Sequence, residues 1–75
     1  MKEIFYKYCQ NFAKNIKIER LARKMTQKQV AESIGIKTQS YQAYESGIAL
    51  PTVENLLKIV LIFGLSLDEL FEIDK

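Results

Sequence analysis

Helix breakers limit this chain more than any other feature. There are three glycines and one proline in 75 residues, and none lies before residue 35. Gly35, Gly47, Pro51 and Gly64 divide the remainder into pieces of helix length. No alternating run of β-branched residues offers a competing strand, so the chain is expected to be all-α. The first piece runs from about Lys2 to Lys24, with Phe5, Phe12 and Ile16 at helical spacing and Cys9 and Ala13 between them. This pattern allows one long helix, or a short arm and a helix from near Asn11. Ile4, Phe5, Tyr6 and Tyr8 make the start too apolar for a free tail. Packing on the domain or on a second subunit is expected for this extra segment, residues 1–11.

The remaining helices announce their own starts and stops. Thr26 and Gln29 form a capping box, in which hydroxyl and side-chain amide satisfy each other's backbone N–H groups. Val30, Ala31 and Ile34 then supply an inner face, and Gly35 stands where a left-handed residue closes a helix. A third helix is expected from about Thr38 to Ser46, with Tyr41 and Tyr44 inward and Gly47 as its stop. After the irregular Ile48–Pro51, Thr52 caps a fourth helix whose stripe reads Val53, Leu56, Leu57, Val60 and Phe63, ended by Gly64. Ser66 with Glu69 opens a short fifth helix, Leu67 to about Phe71. Short connections between five helices give a compact orthogonal bundle, and residues 1–75 make a single domain.

Composition excludes several functions. With one cysteine and no histidine, an internal disulfide, the common zinc sets and a His-activated nucleophile are all unavailable. Cys9 is best read as a small hydrophobe. No Gly-rich phosphate loop is present, and Asp68/Glu69 suit a helix N-terminus better than acid–base work. An enzyme is therefore not expected, nor a cofactor, metal or small-molecule ligand. The start Met1-Lys2-Glu3 lacks an apolar signal region. Lys58 interrupts the most apolar stretch, Leu56–Leu67, so no membrane span is expected and a cytoplasmic location is. The net charge of +2 says little, but residues 1–30 hold eight Lys/Arg against two acids, and residues 31–75 three Lys against seven acids. That asymmetry suits a molecule with one face toward an anionic partner.

Two short helices joined by a Gly-containing turn, at about 26–47, have the helix-turn-helix layout. The string Met25-Thr26-Gln27-Lys28-Gln29-Val30-Ala31-Glu32-Ser33-Ile34-Gly35 resembles the second helix of the lambda-repressor/Cro-like (XRE) family. Ser40–Gly47 resembles its third helix, and Pro51–Ile59 and Phe63–Phe71 its fourth and fifth. The resemblance covers about Phe12 to Phe71. It implies a lambda repressor-like fold that binds double-stranded DNA as a transcriptional regulator, a repressor acting as a homodimer on a palindromic operator.

The resemblance also assigns residues. Gln27 matches a glutamine that contacts phosphate and often braces the first reading residue. Thr38, Gln39 and Ala43 match positions facing base edges, with Gln42 beside them, and Gln39 suits bidentate reading of adenine. Thr26, Lys28, Lys37, Ser40, Arg23 and Lys24 are the further phosphate candidates. Arg20 and Glu45 match a buried structural ion pair. Lys37 stands where the family has a Ser or Thr cap, so either Lys37 or Thr38 caps the third helix. Dimerisation has two candidate surfaces, the apolar N-terminal segment and the fifth helix (Leu67, Leu70, Phe71, Ile73), and family precedent favours the second. A competing reading is an antitoxin-like or anti-repressor protein-interaction module. The Ile4/Phe5/Tyr8 cluster favours that reading, and Gln27 and Gln39 argue against it.

Overall fold

With no breaker before Lys24, one helix takes the whole first piece. In the computed structural model, which describes residues 1–73, α1 spans Lys2–Ala22. At about 1.5 Å per residue it is roughly 31 Å long, nearly the full 33 Å long axis of the molecule. The separate-arm alternative is thereby removed. Four shorter helices follow: α2 (Gln27–Ser33), α3 (Thr38–Ser46), α4 (Val53–Phe63) and α5 (Leu67–Phe71). No strand occurs among the described residues. α1 packs on α3, α4 and α5, and α2 packs on α3.

The inner faces meet in one core of Phe12, Ile16, Val30, Ala31, Ile34, Tyr41, Tyr44, Ile59, Phe63 and Leu70. One alternative and one expectation give way here. Ile4, Phe5 and Tyr6 do not pack back on the domain, which leaves packing on a second subunit, and the buried stripe of α4 is not the expected one. Phe5 shares the spacing of Phe12 and Ile16 but lies beyond the bundle and stays exposed, as do Ile4 and Tyr6. On α4 the buried residues are Ile59 and Phe63, flanked by Leu56, Val60 and Ile62. Val53 and Leu57 face outward with Leu61. An eleven-residue helix with apolar residues almost all round has several candidate stripes, and only its neighbours select one.

The anticipated caps form. Thr26 and Ser66 accept from the amides of Gln29 and Glu69, both as complete capping boxes, and Thr52 accepts from that of Asn55. The five-residue α5 is held from outside. Asn11 donates to the Phe71 carbonyl at 3.2 Å and Asn15 to that of Leu70 at 2.8 Å, satisfying acceptors that a short helix leaves open. Phe71 stacks on Phe12 at 4.9 Å.

α1 stops at a residue that does not suit the stop. Lys24 has φ +56°, and the Met25 amide reaches back to the Arg20 carbonyl at 3.1 Å, as in a Schellman closure. A side chain in this region costs roughly 1–2 kcal/mol, partly offset by glycine's larger unfolded-state entropy. Lys24→Gly is therefore expected to stabilise the chain by about 0.5–1 kcal/mol, raising the midpoint of a thermal melt by a few degrees. An unchanged or lowered midpoint would contradict the strain.

Candidate nucleic-acid interface

α2 and α3 are set against each other by a turn that both chain ends specify. At the end of α2 the Ile36 amide donates to the Ala31 carbonyl at 3.0 Å and the Gly35 amide to that of Glu32 at 3.2 Å. Gly35 supplies the required φ of +72°. At the far end of α3, Gly47 has φ +80°, and a Cβ there would come within 3.0 Å of Gln10 Nε2 on α1. The inner side of α3 is anchored by Tyr41 and Tyr44, whose rings meet edge-on at 6.4 Å. Tyr44 Oη also accepts from Asn55 Nδ2 of α4 at 3.1 Å. α3 is therefore a short helix held along one side, with its other side free.

That free side carries Gln39, Ser40 and Gln42, all exposed, with Thr38 and Ala43 half-buried at its margins. The cap is Lys37, extended in backbone and without a side-chain capping bond, so α3 begins at Thr38. The Thr38 hydroxyl is not used as a cap. Because Lys37 caps nothing, the first α3 amides remain open to an outside acceptor.

Beneath this surface lies the one buried ion pair among the described residues. Arg20 Nε donates to Glu45 Oε2 at 2.6 Å, Nη2 to Oε1 at 3.0 Å, and Nη1 to the Met25 carbonyl at 2.9 Å. The side chains are 10% and 3% exposed. Burial works to raise the Glu45 pKa, but the Arg20 guanidinium foremost, with the neighbouring Tyr41 and Gln27 groups, outweighs it and holds the carboxyl below its usual range. The Tyr41 hydroxyl makes no hydrogen bond of acceptable geometry. Its burial, and then the facing Glu45 carboxylate, push its pKa up. Gln27 joins this cluster, its Nε2 donating to Glu45 Oε1 at 3.2 Å. In the free chain the Gln27 side chain is thus turned toward Glu45. Sequence reading had no signal for this link, which spans 18 positions.

The cations separate into two groups. Lys24 and Lys37 are exposed and have no carboxylate within ion-pair distance among the described residues. Lys28 has only a 3.9 Å approach to Glu32, with both side chains mostly exposed. Arg23, expected with them, is committed elsewhere. It bonds Glu19 Oε1 at 2.6 Å and the Phe63 carbonyl at 2.6 Å, and lies over the Phe63 ring at 5.1 Å. Its guanidinium ties the ends of α1 and α4 together rather than standing free for phosphate. Thr26 is exposed, and its hydroxyl is engaged as the α2 cap.

A family profile described as helix-turn-helix matches residues 16–70. The transcriptional repressor RstR of the cryptic phage CTXphi, from Vibrio cholerae serotype O1, is 52% identical over 52 residues, covering 69% of this chain and 46% of its own. YqaE of Bacillus subtilis, described as an uncharacterized HTH-type transcriptional regulator, is 38% identical over 61 residues, 81% of this chain and 53% of its own. The chain thus spans about half the length of the curated relatives it matches. No solved structure matches it.

Proposed function

The chain belongs to this helix-turn-helix family, and on that premise we propose that it binds double-stranded DNA sequence-specifically as a transcriptional repressor, two copies sharing a palindromic operator. One observation carries the reading: α3 is anchored on its inner side by Tyr41 and Tyr44 and turns Gln39, Ser40 and Gln42 outward. A helix presented in this way fits the major groove, where Gln can pair with adenine and Thr or Ala can touch a thymine methyl. Lys24 and Lys37, with Lys28 only loosely approached by Glu32, supply exposed positive charge for the phosphates that flank a groove. RstR is named a transcriptional repressor and YqaE a transcriptional regulator, which supports a regulatory role and, from the first, repression.

Two copies make specificity useful, since one short helix reads only a few base pairs. The fifth helix is a weaker dimer surface than the resemblance implied. Leu70 is fully buried and Phe71 is packed on Phe12, leaving Leu67 and Ile73 partly exposed. Exposed apolar side chains on α1 (Ile4, Phe5, Tyr6) and α4 (Val53, Leu57, Leu61) also suit a protein partner. They favour the second reading, an antitoxin-like or anti-repressor interaction module.

Selecting bound sites from a random-duplex pool separates the two. The DNA reading expects an enriched palindrome with half-sites about 34 Å apart, or roughly one helical turn. A pool that stays random sinks it in favour of the interaction module. On the enriched site, Gln39→Ala should cost about 1–3 kcal/mol and relax the preference at one base pair per half-site. Equal loss on every sequence would show that Gln39 does not read bases.

A further inference from the structure

Resting on the DNA-binding reading above, we propose that Glu45 is a positioning residue for Gln27: its carboxylate holds the Gln27 amide in one orientation and so offers the second Nε2 proton to a backbone phosphate. A primary amide has two donors on one side and an acceptor on the other, and a solvent-facing glutamine samples both flips. Glu45 chooses between them. Its Oε1 accepts from Gln27 Nε2 at 3.2 Å, and the reversed amide would set a carbonyl oxygen against an ionised carboxylate.

The carboxylate itself cannot swing away. Arg20 fixes both of its oxygens, at 2.6 and 3.0 Å. Arg20 is in turn tied to the Met25 carbonyl, two residues before Gln27. Glu45 is sealed, its side chain 3% exposed, whereas Gln27, at the first position of α2, is only half-buried. Nε2 carries two protons; Glu45 takes one, and no other hydrogen bond from Nε2 is made among the described residues, so the second proton is left for an outside acceptor. A contact group held in its bound orientation loses less freedom on binding. An ion pair that secures the fold thus also prepares the DNA contact.

The test compares Gln27→Ala in two backgrounds, wild type and Arg20→Met/Glu45→Leu. The second removes both charges together, so neither is stranded in the core. Affinity for a random-sequence 20-base-pair duplex is read by fluorescence anisotropy, with circular dichroism to verify folding. Gln27→Ala should weaken the wild type about tenfold and the charge-free background about fivefold or less, since an amide free to flip presents its donor only about half the time. Equal weakening in both backgrounds, or none in either, overturns the positioning role. If the charge-free pair fails to fold, Glu45→Asp keeps the charge but draws the carboxylate back, and the same comparison in that background decides. A wild-type chain without affinity for any duplex would remove the DNA reading, and this proposal with it; equal costs in a chain that binds remove the proposal alone.

Discussion

Arg20→Ala is expected to destabilise the fold by about 3–5 kcal/mol, far more than the removal of any exposed charge in this chain. The reason is what remains behind. Glu45 would keep its place in the core with its two strongest hydrogen bonds gone, and an ionised carboxylate without a partner is costly to bury. A chain of 75 residues has roughly 4–11 kcal/mol of stability in all, so the variant should lose at least about a quarter of it. Removing both partners together with apolar residues of similar size should cost far less. Urea unfolding of the single and paired variants checks this. A loss below about 1 kcal/mol for Arg20→Ala would mean the pair behaves like an exposed one.

The same pair gives a sign to the pH dependence. The Glu45 carboxyl is held below its ordinary value in the folded chain, so the unfolded chain takes up its proton first as pH falls. The stabilisation is complete above the unfolded carboxylate pKa and is lost as pH drops through the folded one. Arg20 is shifted upward and stays charged throughout that window. Acid unfolding should therefore begin at higher pH when Glu45 is left intact than in the paired apolar variant.

Duplex binding should fall steeply with salt. If Lys24, Lys28 and Lys37 each neutralise one phosphate, a dimer releases about six counterions and log K falls with log salt at a slope near −5. Between 50 and 200 mM salt that is a loss of about a thousandfold. Each Lys→Gln substitution should make the slope shallower by about 2 in a dimer. Arg23→Gln should leave it unchanged, because that guanidinium is committed to Glu19 and the Phe63 carbonyl. Lys58→Gln should also leave it unchanged, its ammonium being paired with Glu54 on α4. Slopes that respond equally to all five positions would show that net charge, not these lysines, sets the affinity. Lys24→Gly provides a built-in contrast, since it should raise stability while flattening the slope.

Local chemistry was legible in the sequence wherever a few neighbouring residues settle it. Thr26 with Gln29, Ser66 with Glu69, and Thr52 form their caps within four residues of chain. Gly35, Gly47 and Gly64 occupy left-handed positions that other residues fill only under strain. The five helices, their order and the inward Tyr41 and Tyr44 follow from those signals together with a 3.6-residue period. The Lys37 departure was legible as an ambiguity of one residue. The structure resolves it by capping α3 at Lys37 without a side-chain bond.

Only the tertiary structure decided which side of an all-round apolar helix is buried, because that depends on what the helix meets. Val53, Leu57 and Ile59 are all strongly hydrophobic, but Ile59 lies in the core while the other two face solvent. Arg23 and Lys24 are adjacent and both cationic, yet one reaches the end of α4 and the other turns outward. Gln27 is the sharpest case. The family resemblance, with the residue's place at a helix start, marked it for an anion, but its hydrogen-bond partner in the core lies 18 residues away. A hydrogen bond across that distance is set by how α3 crosses α1 and α2, and no local period or motif carries that information.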